Sequence, residues 1–177
     1  AGRLSENPAY RVLLIEAGRD LPPGEEGSAI RDMYPGRAAF DPAVRAVVLR
    51  GAGDHFMAGG DLKWFRDQLA LSPQERQLRF EEMIAAVHAS ILNLKGMGKP
   101  AIAAVHGAVA GFGMSLMMAC DLVVAADNAY FTLAYSNIAL SPDGGATWSL
   151  PRQVGLKQAM EIALLGDRFD AARALDL

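Results

Sequence analysis

The sequence holds one cysteine, Cys120, in 177 residues. No internal disulfide framework and no multi-cysteine zinc pattern can be built from it, and so low a count fits a reducing, cytoplasmic setting. Histidine is scarce too. The three present, His55, His88 and His106, have no spacing that matches a metal-ligand pattern, so no metal is expected. Neither sign of charge dominates: 17 Lys and Arg stand against 20 Asp and Glu, a net charge of −3. The basic surface of an electrostatic nucleic-acid binder is therefore lacking, and no nucleic-acid partner is expected. Residues 102–120 carry no Asp, Glu, Lys or Arg. That approaches the length of a membrane span, about 20 residues. However, His106, Gly107, Gly111, Gly113 and Ser115 interrupt the run, and β-branched residues give way to Met and Leu along it. It reads as a buried strand, a glycine turn and a buried helix, with no membrane partner. The chain also lacks an initiator Met and a signal peptide, opening Ala1-Gly2-Arg3. The expectation is processing or a piece of something longer.

What is present is apolar: 51% of residues are hydrophobic, enough for a core and too many for a disordered tail. The length fits one ordinary domain. Strands are predicted at Arg11–Ala17, 44–50, Ala101–Val105 and 122–126, with Pro- and Gly-punctuated loop at 21–27. A short helix is predicted at 61–69. Ser72, Pro73 and Glu75 form a capping-box start for a longer one ending at Gly96 and Gly98. On that helix Phe80, Ile84, Val87, Ile91 and Leu94 recur at helical spacing as a core face, with His88 a structural residue beside it. Further helices are predicted at Phe112–Ala119, 146–153 and Leu156–Leu165. Strands alternating with helices specify an α/β domain.

Three glycine-bearing turns carry the chemistry: residues 55–62, 106–115 and 141–145. The first two each follow a strand and precede a helix. Such turns free backbone N–H groups, and the helix start adds partial positive charge. Two of them side by side can aim two N–H groups at one oxygen, forming an oxyanion hole. Alternatively, the glycines only permit tight helix–strand packing. No GxxxxGK[ST] or GxGxxG is present to cradle phosphate. His55 reads as a solvated loop residue and His106 as packed beside its turn. Cys120, with no basic neighbour in sequence to activate it, reads as a small buried hydrophobe.

The strings DPAVRAVVLRGAGDHFMAGGDL, KPAIAAVHGAVAGFGMSLMMACDLVVAAD and ALSPDGGATWSLPRQVG, in that order and spacing, resemble the crotonase superfamily, the enoyl-CoA hydratase/isomerase group, over residues 41–177. The resemblance implies a crotonase-like ββα superhelix core that binds an acyl-CoA thioester and stabilises its enolate. Gly60 and Phe112 would supply the two oxyanion N–H groups. Ala58 and Leu62 would lie along the CoA, with Lys63 near its nucleotide end. Typical hydratases place two glutamates where this chain has Ser115 and Tyr135, neither able to do a carboxylate's work near neutral pH. Asp143 is the remaining carboxylate. Isomerase-type members use an acidic residue in this region to move a proton between acyl carbons, and one carboxylate suffices for that. Asp143 is equally suited to being a turn residue or helix N-cap. Tyr135 and Trp148 could line an acyl pocket or belong to the core. The expected activity is double-bond isomerisation in lipid metabolism. The alternatives are enoyl-CoA hydratase (lyase) chemistry and a catalytically inactive acyl-CoA binder or gene fragment.

Residues 1–40 depart from that family. They resemble the early part of flavin-dependent GMC oxidoreductases, with Glu16 placed where that family meets the ribose of FAD. The upstream glycine turn of that family has no counterpart, so FAD phosphates would have no cradle, and no cofactor is expected. A junction between unrelated pieces is predicted near residues 36–43, with Arg11–Ala17 as an edge strand. At the other end, the family's C-terminal helices, which build its homotrimers and hexamers, have no counterpart before Leu177. The expectation is a core truncated at the C-terminus.

Overall fold

The computed structural model describes residues 44–177 in full and Arg11–Ala17 as backbone strand. In chain order, β1 (Arg11–Ala17) is followed by β2 (Val44–Gly51), α1 (Leu62–Asp67), a 3₁₀ turn (Gln68–Ala70) and α2 (Pro73–Gly96). Next come β3 (Ala101–Val105), β4 (Ala108–Ala110), α3 (Phe112–Ala119), β5 (Leu122–Ala125) and β6 (Tyr130–Thr132). A second 3₁₀ turn (Ser136–Ile138), α4 (Ala146–Val154), α5 (Leu156–Leu165), β7 (Phe169–Asp170) and α6 (Ala171–Leu175) complete it.

The first sheet has the order β1-β2-β3-β5, every pair parallel. Parallel neighbours cannot be joined by a hairpin, and the crossovers from β2 to β3 and from β3 to β5 carry α1 with α2, and α3, respectively. Strand β2 lies between two partners and buries Val44, Ala46, Val47, Val48, Leu49 and Gly51, which is why its sequence is apolar almost without alternation. Strand β1 takes the edge beside β2, paired from Val12↔Ala46 to Ala17↔Gly51, as the sequence predicts. The predicted junction at 36–43 and the rest of residues 1–40 lie outside the described residues. The second sheet, β4-β6-β7, is parallel between β4 and β6 and antiparallel between β6 and β7.

The uncharged run 102–120 becomes β3, β4 and α3. In α3 every residue from Gly113 to Ala119 is buried, so it is apolar all round because it is central. No helix among the described residues is long and apolar enough to cross a membrane. The capping box of α2 forms as predicted: the Glu75 N–H donates to Ser72 Oγ at 3.3 Å, and the Ser72 N–H to Glu75 Oε2 at 3.1 Å. The core stripe of α2 is only half realised. Ile91 and Leu94 are buried, but Ile84 is exposed. Phe80 is part-buried and packs against the rings of Trp64 and Phe65 in α1, at centroid distances of 5.5 and 5.3 Å. The amphipathic face outruns the surface it packs on. His88, predicted to be structural, is exposed.

Candidate functional site

The first two glycine turns are sewn together along their length. The Phe56 N–H donates to the His106 carbonyl (2.8 Å), Met57 N–H to the Ala108 carbonyl (3.1 Å) and Ala110 N–H to the Met57 carbonyl (2.9 Å). Met57 and Val109 thereby form a parallel bridge. Glycine is required where the turns touch. Gly111 sits at φ +52, a backbone conformation that a side chain would strain. A Cβ on Gly113 would collide with the Met57 carbonyl.

At the tips of these turns, Gly60 and Phe112 carry backbone N–H groups with no acceptor among the described residues. Gly60 leads into α1, whose N-cap is Asp61: its carboxylate accepts from the N–H groups of Lys63 (2.8 Å) and Trp64 (3.2 Å). Phe112 is the first residue of α3. Further along the first turn of this helix, the N–H groups of Met114 and Ser115 turn back to the Gly111 carbonyl at 3.0 and 3.3 Å. The Phe112 N–H thus lies at the partially positive end of a helix. Ala58, Leu62 and Lys63 are all exposed around the first turn.

The third turn closes onto the second. A Cβ on Gly144 would lie 2.9 Å from both the Phe112 ring and Ser115 Cβ. Ser115 is 1% exposed, and its hydroxyl donates to the Asp143 backbone carbonyl at 2.9 Å. The Tyr135 O–H donates to Asp143 Oδ1 at 2.5 Å. Burial, and after it the bond to Asp143, raises the Tyr135 phenol well above its usual range, so it stays protonated and donates. Asp143 is not the N-cap that its Asp-Gly-Gly context equally allows. Gly145, at φ +79, caps α4, and only the Asp143 backbone carbonyl accepts from the Ala146 N–H (3.0 Å).

Three of the predicted residues, Ser115, Tyr135 and Asp143, therefore meet beside Phe112. Trp148 stands apart: it is 58% exposed, with the Arg152 guanidinium 4.2 Å over its ring. His106 packs beside its turn as predicted, with Nε2 2.9 Å from the Gly53 carbonyl. His55 is more than a loop histidine. Its Nδ1 accepts the Ala108 N–H at 3.2 Å, so the ring proton sits on Nε2 and the ring braces the seam between the turns. Nothing in its sequence position signals this, because the contact crosses 53 residues. Among the described residues, no group of three or more His, Cys, Asp or Glu is placed to hold a metal ion.

Residues 36–177 match the family model described as Enoyl-CoA hydratase/isomerase. A Rhodobacter capsulatus protein named "Probable enoyl-CoA hydratase" is 40% identical over 132 residues, covering 74% of this chain and 48% of that protein. The peroxisomal Delta(3,5)-Delta(2,4)-dienoyl-CoA isomerase of Arabidopsis thaliana is 35% identical over 142 residues, 77% of this chain and 51% of that one. The crystal structure of an enoyl-CoA hydratase from Polaromonas sp. JS666 superposes with a TM-score of 0.79 at 36% identity, covering 93% of this chain and 64% of that one. The chain spans about half the length of the curated relatives it matches.

Proposed function

Because the chain belongs to the enoyl-CoA hydratase/isomerase family, we propose that it binds an acyl-CoA thioester and shifts a double bond along the acyl chain. In this reading the thioester oxygen sits between the N–H groups of Gly60 and Phe112, whose freedom from internal acceptors supports the role. Ala58, Leu62 and Lys63 line the path of the CoA, and its remote binding energy holds the acyl group in place. Asp143 takes a proton from C2 of a 3-enoyl thioester. The resulting charge spreads onto the oxygen held by the two N–H groups. The same carboxylate then delivers the proton to C4, leaving the conjugated 2-enoyl thioester. Tyr135 borders the acyl chain.

One observation carries the choice of isomerisation: the Asp143 carboxylate is met by the Tyr135 hydroxyl, the Ser115 hydroxyl turns to the backbone carbonyl of the same residue, and no second carboxylate joins them among the described residues. Adding water across a double bond calls for a base on the water and an acid at carbon. Moving one proton calls for a single group that can do both. The test is incubation with a 3-enoyl-CoA while following the absorbance of the conjugated product. Turnover is expected, and Asp143→Asn should slow it about a hundredfold or more. Hydration of a 2-enoyl-CoA without isomerisation would instead favour the hydratase reading. Ester binding without either reaction would favour a non-catalytic binder.

A further inference from the structure

Proton transfer through Asp143 leaves two buried hydroxyls without a task. Tyr135, 8% exposed, donates to Oδ1 of the carboxylate at 2.5 Å. Ser115, 1% exposed, donates to the backbone carbonyl of the same residue at 2.9 Å. One contact fixes where the main chain of Asp143 runs, and the other fixes one of its two side-chain oxygens. Resting on the proton-transfer reading, we infer that Tyr135 is a positioning residue, which occupies Oδ1 of Asp143 and leaves Oδ2 as the one oxygen that takes and returns the substrate proton.

A carboxylate on its own turns its oxygens past one another, and either can accept a proton. An O–H bond to an ionised oxygen at this length is among the strong ones, so the held oxygen is withdrawn from the exchange. The Tyr135 mount is itself rigid. Its N–H donates to the Leu133 carbonyl (2.8 Å), and its own carbonyl accepts from Ile138 (3.1 Å) and Leu140 (3.0 Å). In the reaction the C2–H bond breaks, its proton forms a bond with Oδ2, and its electron pair enters the dienolate. The Oδ2–H bond then breaks as C4–H forms, and the carboxylate is restored. Water and a second base have no part, and Tyr135 keeps its proton throughout.

Tyr135→Phe keeps the ring and deletes only the donor. The expected result is a kcat tenfold to about a hundredfold lower, with KM within about twofold, because the group is misplaced rather than lost. With 3-enoyl-CoA deuterated at C2, wild-type protein in ordinary water should carry part of the label to C4. Tyr135→Phe should release it to solvent. Unchanged kcat and unchanged label transfer, with Asp143→Asn inactive, would overturn the positioning role and leave the isomerase reading standing. A second measurement does not depend on turnover. Folded wild-type protein should show a hydroxyl proton resonance far downfield, lost in both Tyr135→Phe and Asp143→Asn. Its absence from folded wild type would overturn the pairing whether or not the protein isomerises anything.

Discussion

The Cys120 thiol is 5% exposed and donates a weak hydrogen bond to the Leu116 carbonyl at 3.6 Å. Burial, with a smaller push from the Asp121 charge, raises it to about 12. Only the thiolate attacks electrophiles, so at neutral pH this side chain is a hydrophobe. A thiol reagent is expected to leave the native protein unmodified and to add one equivalent after denaturation. Prompt labelling of the native state would contradict the burial. The same force has a different result at Tyr135. There, loss of water keeps a proton on a donor that faces a carboxylate, so burial preserves a polar contact instead of silencing a group. Asp143 draws its meaning from such neighbours. Its Asp-Gly-Gly context fits a helix cap, but Gly145 takes that position and the Asp143 carboxylate is met by Tyr135 instead.

Between elements, the seam joining the first two glycine turns decides whether the site exists. The Met57 carbonyl accepts the Ala110 N–H at 2.9 Å, and Gly113 leaves room for it. Gly113→Ala drives a methyl group into that carbonyl. The expected cost is about 1–3 kcal/mol of unfolding free energy in urea, together with loss of turnover. An unchanged midpoint would show that the turns can part without harm. The glycine turns were legible in the sequence because their residue types and their positions after strands are local signals. So were the capping box at Ser72 and the bounds of α5, which match the structure residue for residue. Strands β4, β6 and β7, of two or three residues, were not legible, since alternation needs more length than that to register. The stripe on α2 named the apolar face correctly at Ile91 and Leu94. A periodic pattern says which side is greasy, not how far the partner surface extends, and so Ile84 was misjudged. The Tyr135–Asp143 bond was illegible because it joins side chains across irregular chain, where no period applies.

At the scale of the molecule, the β5 edge of the parallel sheet is apolar and open to solvent. Leu122, Val123 and Val124 on β5 are 60%, 45% and 63% exposed. Beside them runs an apolar groove of about 730 Å³, bordered by Met117, Phe131, Ile162 and Phe169. Unpaired strand edges with such side chains recruit other chains. The 177-residue chain is expected to self-associate, and Val124→Lys to lower its apparent mass in light scattering. Equal scattering from both would place the contact elsewhere. The topology also fixes when the site comes into being. The bonds from Ala108 to His55 and between His106 and Gly53 each join residues 53 apart, with α1, the 3₁₀ turn, α2 and β3 between them. Loops of that length close slowly, and pairings that depend on them form after local helices have nucleated. A chain emerging from a ribosome can complete α2 while the two N–H groups at Gly60 and Phe112 are still strangers. Acyl-ester binding would therefore report on the last stage of folding, and a bound ester would select the finished molecule from all its precursors.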